Sequence, residues 1–295
     1  MKYILRSSRP QFLILAPICV LAGLAASLTT GVPINAFHLF LAFVGAILAH
    51  ASVNLLNEYD DFTSGLDFNT QKTPFSGGTG NLIENPEQAN HIRLAGLLTA
   101  GVTLIIGGIL AIRSGWGIVP LGLLGLVIIV LYTPVLNHYP WLCIISPGLG
   151  FGPLMVMGTE YAISGHYTWT GFLISLVPFF LVNNLLLLNQ FPDVEPDRVI
   201  GRNHFLVAYG KKVSAITYTI FLACAYIILS VGVALKLLPI GALLGLLTLF
   251  IALPTVKNIF NTMNDMEKFI PSLGMNVIIT LATPLLAALG MILIR

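Results

Sequence analysis

Nine stretches of this sequence stay apolar for long enough to cross a lipid bilayer: approximately 11–31, 36–56, 92–112, 115–132, 141–163, 169–190, 213–235, 238–256 and 273–294. A helix rises about 1.5 Å per residue, so about 20 apolar residues cover a hydrocarbon core about 30 Å thick. Inside lipid the backbone must satisfy its own hydrogen bonds, and a helix does so within one segment. The chain is therefore expected to be an all-α polytopic membrane protein, with residues 1–295 forming a single transmembrane domain. Composition removes the alternatives. Charged residues are only 9% of the chain and apolar residues 56%, whereas a soluble domain carries about 25% charge. A disordered chain would need low hydrophobicity and high net charge. The net charge of +2 offers no footprint for nucleic acid, and none is expected as a partner. Cys19, Cys143 and Cys224 lie singly in apolar runs and read as small packing residues. Lys2, Arg6 and Arg9 precede the first run as in a signal peptide, but the run is long and lacks a small-residue cleavage site. A retained first span is expected.

The basic residues set the orientation. With the N-terminus inside, Lys2, Arg6, Arg9, Lys72, Arg93, Arg198, Arg202, Lys211, Lys212, Lys257 and Lys268 fall in inside segments, and only Arg113, Lys236 and Arg295 fall outside. That is a clear positive-inside bias. Every acid except Glu160 lies on the inside as well. Acids contribute little to topology, so this skew points to chemistry or recognition on one cytoplasmic face. The connections on that face are also the long ones, notably 57–91 and 191–212.

Two acidic clusters stand out there. The first runs from Asn57 to Asp67 and holds Glu58, Asp60, Asp61 and Asp67 without a Lys or Arg. Asn57 and Asp61 share a helix face if the second span continues that far, and Gly65 lets the chain turn to bring Asp67 back. The second runs from Asn189 to Arg198; Asn189, Asp193 and Asp197, at intervals of four, are expected on one helix face, and Pro192 and Pro196 interrupt helical hydrogen bonding and are expected to loosen the helix end. Unpaired carboxylates at a membrane boundary repel one another and resist desolvation. A divalent cation resolves that conflict, and Mg²⁺ prefers one or two carboxylates plus substrate phosphates. Asp61, Asp67, Asp193 and Asp197 are thus the candidate metal and catalytic residues. Lys72, Arg198 and Arg202 are candidates for contacting a diphosphate or, equally, ordinary inside-loop charge. Either cluster alone reads as well as solvated loop charge. Two clusters, each after an Asn that closes an apolar span on the same side, favour the metal.

The rest of the sequence is less directive. The Gly-rich run Thr73–Gly80 is a chain reversal or an anion cradle. Tyr132 is a belt residue at the bilayer interface or a contact to substrate in a cavity; Trp116, Trp141 and Trp169 need only the belt explanation. The six histidines form no metal-ligand pattern, and Glu160 receives no role. From a different class, an ion-coupled secondary transporter would also use intramembrane acids, though nearer mid-span. A scaffold subunit would leave both clusters without a purpose.

At the two clusters the sequence resembles the UbiA superfamily of intramembrane prenyltransferases. Asn57, Gly65 and the pair Asp61 and Asp67 match the first signature of that family; Asp193 and Asp197, after Asn189, match the second. Arg9-Pro10 ahead of the first span is similar as well. Thr73–Gly80 and the stretch Gly148-Leu149-Gly150-Phe151-Gly152-Pro153 resemble the branch acting on 1,4-dihydroxy-2-naphthoate in menaquinone synthesis. Phe191-Pro192 stands where many members have an Arg before the Asp, and Asn137-His138 follows Tyr132-Thr133-Pro134 where a basic residue is usual. The resemblance implies about nine helices around a central cavity that opens at the cytoplasmic face and sideways to lipid. It implies Mg²⁺ as cofactor, polyprenyl diphosphate and an aromatic acceptor as substrates, and Asn57, Asn189, Arg9, Lys72, Arg198, Arg202 and Tyr132 as substrate contacts. It places the protein in a bacterial or archaeal cell membrane. The acceptor implied is a dihydroxynaphthoate, with 4-hydroxybenzoate or another quinone or lipid precursor as the alternative. Gly148, Gly150 and Gly152 would let a helix approach a flat ring, or would serve helix packing, the commoner use of spaced glycines.

Overall fold

The computed structural model describes residues 1–68 and 78–294. Among these residues every regular element is helical. The apolar helices are, in chain order, α1 (Pro10–Leu28), α2 (Ala36–Thr63), α3 (Pro86–Ser114), α4 (Trp116–Leu131), α5 (Pro140–Ser164), α6 (Trp169–Asn189), α7 (Phe205–Ala234), α8 (Ile240–Thr262) and α9 (Met266–Leu293). All but the shorter α4 are long and apolar enough to span a membrane. The chain is an integral membrane protein. Each expected apolar segment coincides with one helix. Several helices outrun their apolar segment: α2 continues to Thr63 and α9 starts at Met266, whereas the first residues of α7, 205–209, are set off from the rest by a kink at Gly210, at φ 77°. Adding a residue to an existing helix is easy compared with starting one. The extra turns carry polar side chains such as Asn57 and Asp61, Lys211 and Lys212, or Glu267 and Lys268.

The bundle is built around α1, α6 and α9, which pack on one another at its centre. Ala22, Ala25 and Ala26 of α1, Ile174, Leu181 and Leu187 of α6, and Ile279 and Ala287 of α9 are fully buried. α2 lies along α3, α7 along α6, α8 along α9, and α5 crosses α1 and α6. Lipid tails are as apolar as Leu, so helices here associate through close packing rather than through escape from water. Small residues supply it. A Cβ on Gly148 or Gly152 of α5 would run into the backbone carbonyl oxygen of Phe179 or Ser175 in α6. These two glycines therefore serve helix packing. Gly150, between them, has open space where its Cβ would be and borders a cavity.

α5 is irregular. Pro147 and Pro153 interrupt it, and Gly150–Met157 is π-helical. Such wide turns occur mostly at functional sites, and this one presents Phe151, Leu154 and Met155 to the cavity. Glu160 sits near the far end of α5, fully buried. It accepts hydrogen bonds from the Thr168 hydroxyl at 2.5 Å and the Thr168 amide at 3.4 Å. The Thr168 hydroxyl in turn accepts from the Gly171 amide at 2.9 Å and caps α6. Glu160 thus ties the end of α5 to the start of α6, a structural role that the sequence did not reveal.

A short helix, Lys2–Ser7, lies against the end of the bundle that carries the acidic clusters. Arg6 grips Glu84 with two hydrogen bonds of 2.5 and 2.9 Å. Asn81 donates to the Tyr3 carbonyl at 3.0 Å and to the Ser7 hydroxyl at 2.8 Å. These bonds close the N-terminal segment over the connection between α2 and α3.

The glycine contacts generate a paired expectation. Gly148→Leu should destabilise the bundle by about 3 kcal/mol or more, because backbone lies where the side chain would go. Gly101→Ala, in α3 with nothing near its Cβ position, should be neutral or stabilising by about 0.5–1 kcal/mol. Thermal unfolding in detergent checks both, and equal effects would contradict the packing account.

Candidate active site

A cavity of about 610 Å³ runs through the bundle among α1 to α6, with a small contribution from α9. Its acidic-end mouth is polar, with Arg9, Asn57, Tyr132 and Asn189 on the wall. Deeper, the wall is almost wholly apolar. Leu104, Ile112, Trp116 and Leu123 border it and are also exposed on the outside of the bundle. The cavity is therefore open sideways between α3 and α4. No residue of α4 from Val119 to Leu131 is fully buried, so this wall is the least tightly held.

The first cluster is built by the last turns of α2. The helix continues through Thr63, which puts Asn57 and Asp61 on one face, and ends at Ser64. Gly65, at φ +81°, reverses the chain into a short turn, Leu66–Phe68. Asp67 on that turn is buried, and its Oδ2 has no hydrogen-bond partner among the described residues. Gly78 closes over it; a Cβ there would lie 2.7 Å from Asp67 Oδ1. Burial first, and the neighbouring Asp61 and Glu58 carboxylates second, push the Asp67 carboxyl up to about 7.

The second cluster departs from its expected form. Asn189, Asp193 and Asp197 do not share one continuous helix face. α6 ends at Asn189, a turn follows, and a separate helix runs over Val194–Val199. Pro192 supplies no N–H and disfavours helical geometry at the preceding residue, which accounts for the break. Asp193 precedes the short helix and Asp197 lies within it, with the Asp197 amide donating to the Asp193 carbonyl at 2.9 Å. Asn189 Oδ1 and Asp193 Oδ1 are buried and have no hydrogen-bond partner among the described residues. Burial, then the Asp197 and Asp61 carboxylates, push the Asp193 carboxyl up to about 7.

Arg202 joins the two clusters. Its Nη1 donates to Asp197 Oδ1 at 3.1 Å and its Nη2 to Asp61 Oδ1. Gly201, at φ +80°, turns the chain so that the Arg202 amide returns to the Asp197 carbonyl at 3.0 Å. Burial works against the charged guanidinium, but Asp61 and Asp197 outweigh it and hold its pKa above the ordinary value. His204 bonds the other oxygen of Asp197, Nε2 to Oδ2 at 2.9 Å. On the first-cluster side, Arg9 adopts a left-handed backbone at φ 53°, ψ 64°. Its Nη2 reaches Asn57 Oδ1 at 3.4 Å and Glu58 Oε2 at 3.5 Å. Glu58 also accepts from the Thr79 amide at 3.2 Å and from the Thr79 hydroxyl.

The structure therefore gathers Asn57, Asp61, Asp67, Asn189, Asp193, Asp197, Arg9, Arg202 and Tyr132 around one end of one cavity. It does not bring Arg198 there: Arg198 is exposed and pairs with Glu195 at 3.2 Å. This corrects the expectation that Arg198 faces the cluster, because the Val194–Val199 helix turns it outward. Lys72 and residues 73–77 of the Gly-rich run lie outside the described residues. Sequence reasoning missed three participants. Glu58, counted in the first cluster but given no role there, is fully buried and held by Arg9 and Thr79. His204 has no signal beyond its proximity to Asp197. Cys143, read as packing, lies in a polar chain, receiving from Gln190 Nε2 and donating to Asn137 Oδ1, both at 3.3 Å.

Five carboxylates, Glu58, Asp61, Asp67, Asp193 and Asp197, thus meet two guanidinium groups, Arg9 and Arg202. Among the described residues no three His, Cys, Asp or Glu side chains converge tightly enough to chelate an ion by themselves. The donor set fits Mg²⁺ nonetheless, since that ion takes one or two carboxylates and completes its shell with water and phosphate oxygens. Asp67 Oδ2 and Asp193 Oδ1, which have no hydrogen-bond partner among the described residues, are donors of the kind such an ion takes.

Comparison with known proteins then decides the family. The family model described as "UbiA prenyltransferase family" matches residues 16–270. The chain belongs to the UbiA prenyltransferase family. That membership makes it a prenyltransferase and removes the transporter and scaffold alternatives. Among characterised UbiA relatives, it is similar to 1,4-dihydroxy-2-naphthoate octaprenyltransferase of Escherichia coli (strain K12), 28% identical over 98% of this chain and 94% of that enzyme. It is similar to the enzyme of the same name from Bacillus subtilis (strain 168), 28% identical over 64% of this chain and spanning only 60% of that enzyme. Among solved structures, the fold is similar to an apo UbiA homologue from Aeropyrum pernix K1, with TM-score 0.68 at 17% identity, covering 95% of this chain and 96% of that one. It is also similar to a UbiA homologue from Archaeoglobus fulgidus bound to DMAPP and Mg²⁺, with TM-score 0.60 at 15% identity and full coverage of both chains.

The raised carboxyls give the metal-free protein a defined pH response. Asp67 and Asp193 bind protons more tightly folded, at about 7, than at the ordinary value of 3.8. The folded state therefore holds more protons than the unfolded state between those values, and stability falls as pH rises through that window, levelling above about 7. The melting temperature of chelator-treated protein in detergent should fall between about pH 5 and about pH 7.5, and Asp67→Asn or Asp193→Asn should flatten the slope. A melting temperature that rises over this range in the wild type would contradict the assignment.

Proposed function

We propose that this protein transfers a polyprenyl group from polyprenyl diphosphate to 1,4-dihydroxy-2-naphthoate, with Mg²⁺ as cofactor. The observation that carries the reading is the placement of unpartnered buried carboxylate oxygens of Asp67 and Asp193 beside the Arg202-bridged Asp61 and Asp197, at the mouth of an apolar cavity open to lipid. A prenyl diphosphate has that same division, a polyanionic head on a hydrocarbon tail. The acceptor assignment draws support from the names of the Escherichia coli and Bacillus subtilis relatives. The metal assignment draws support from the archaeal homologue bound to DMAPP and Mg²⁺.

Asp61, Asp67, Asp193 and Asp197 would hold Mg²⁺. Bound there, the metal supplies positive charge that stabilises the departing diphosphate. Arg202 and Arg9 bring fixed positive charge to the same oxygens, and Arg202 is free to take them once its aspartates have another cation. Asn57 and Asn189 offer amide groups at the mouth. The bond from the prenyl C1 to the bridging oxygen breaks, and diphosphate leaves with the electron pair. The electron-rich ring then bonds C1 through the carbon that bears the carboxylate, which is lost as carbon dioxide. The apolar walls keep water from the allylic cation. The positive-inside pattern of the connections orients the acidic end toward the cytoplasm. The prenyl donor enters from membrane lipid through the opening between α3 and α4.

Purified protein in detergent should prenylate 1,4-dihydroxy-2-naphthoate faster than 4-hydroxybenzoate with one polyprenyl diphosphate, and only with a divalent cation present. A faster reaction with the benzoate would overturn the acceptor and leave the diphosphate site intact. Asp61→Ala and Asp193→Ala should each lower turnover by at least about a hundredfold, as expected for the loss of a key transition-state stabiliser. Both variants should remain folded: without Asp61, Arg202 keeps Asp197 as its partner, and removing Asp193 relieves repulsion with Asp197 and Asp61. Near-wild-type turnover by either would exclude these residues from the reaction.

A further inference from the structure

Below Asp61, α2 turns one polar stripe toward the cavity: Asn57, Asn54 and His50, spaced four, seven and eleven residues back along one helix face. Asn57, Asn54 and His50 all border the cavity. Asn57 is held by Thr133 at 3.2 Å and Arg9 at 3.4 Å, and Asn54 by the Ser8 carbonyl at 2.9 Å. His50 differs. Its side chain is buried, with 6% of the residue exposed, and its Nδ1 has no hydrogen-bond partner among the described residues. A second buried histidine on the same helix shows the contrast. His38 Nδ1 is engaged by the Ala162 carbonyl at 3.0 Å and by the Ser114 hydroxyl at 3.1 Å.

Leaving a buried polar group unsatisfied costs about 1–3 kcal/mol, and Leu or Phe would pack at this position without that cost. His50 therefore has a use that packing does not supply. The surroundings describe its partner. Phe151, from the π-helical turn of α5, meets the imidazole edge to face at 4.6 Å. Gly150 beside it leaves the space of a side chain empty. An aromatic wall, an open slot and one unpaired imidazole nitrogen suit a flat ring carrying a hydroxyl. They do not suit a prenyl chain, which has no hydrogen-bonding group. The wall at Leu104, Ile112 and Leu123 is hydrocarbon and suits the chain instead. Along α2, His50 lies about 16 Å below Asp61, which leaves room above it for the diphosphate end and the reacting carbon.

We propose that His50 is an acceptor-binding residue: its imidazole, on the cavity wall, hydrogen-bonds a hydroxyl of the aromatic acceptor, whose ring lies beside Phe151 in the space that Gly150 leaves open. This rests on the prenyltransferase reading for the identity of the ligand, but its test is one of binding and not of turnover. The probes are 4-hydroxy-2-naphthoate and 2-naphthoate, which differ in a single free hydroxyl. Calorimetric titration of the full chain in detergent, with Mg²⁺ and inorganic diphosphate present, should show wild-type protein binding the hydroxylated acid about tenfold more tightly. His50→Phe, or His50→Leu if the first does not fold, should bind the two acids alike. His50→Gln, which keeps hydrogen-bonding groups at the position, should recover part of the preference. Equal affinity of the wild type for both acids overturns the proposal, and so does a preference that survives in the Phe or Leu variant. Failure of prenyl transfer to any aromatic acceptor would instead overturn the function proposed above, and the two failures are read in separate experiments.

Discussion

Among the described residues, more carboxylates than guanidinium groups are buried at one end of an otherwise apolar bundle, and the local structure there follows from containing them. Glu58, Asp61, Asp67 and Asp197 are buried and Asp193 nearly so, with Arg9 and Arg202 as the guanidinium partners. Each guanidinium is shared. Arg202 uses its planar fork to reach one carboxylate from each cluster, which a lysine point charge would do poorly. Arg9 reaches both Asn57 and Glu58 from a left-handed backbone. That conformation costs a non-glycine residue about 1 kcal/mol or more. Pro10 already disfavours the right-handed helical region at Arg9, and the contacts to Asn57 and Glu58 hold the left-handed one. The glycines at 65 and 201 serve the same end, returning Asp67 and Arg202 to the site.

The fold was legible in the sequence because membrane helices announce themselves by length and apolarity alone. All the segments inferred from composition correspond to helices, and only their ends differ. The ends were illegible for a physical reason: helices such as α2 and α9 run on into polar sequence, where hydropathy carries no signal. Of the site, the parts legible in advance were those set by local spacing. Asn57 and Asp61 share a face, and Gly65 turns Asp67 back. The helix break before Asp193 was anticipated from Pro192 only as a loosening, and the expected common face of Asn189, Asp193 and Asp197 did not survive it. Long-range partners were not legible. Arg202 and Arg198 look equivalent in sequence, four residues apart, yet one is buried between two aspartates and the other faces outward. His204, Glu58 and Cys143 gain their roles only from contacts that the fold creates.

The bundle also divides by how its helices are held, and the division matches the two ends of the proposed prenyl diphosphate. Around α5, α6, α8 and α9 the backbones approach so closely that a Cβ on Gly148, Gly152, Gly241 or Gly290 would strike a carbonyl oxygen. Gly107 and Gly108 of α3, Gly122 of α4 and Gly150 of α5 have no atom near their Cβ positions and instead border the cavity. The same residue type therefore serves opposite purposes on the two sides, close packing on one and free volume on the other. Contact supplies most of the stability between helices in lipid, so the side with free volume is the weakly held one. A lipid-soluble donor needs a wall of that kind, because its tail must pass from the bilayer into the cavity without crossing water. The acidic end needs the opposite. Under the proposed function its carboxylates have to stay within reach of one diphosphate, and the closely packed α5 and α6, with Arg202 spanning both clusters, hold that end at a fixed spacing.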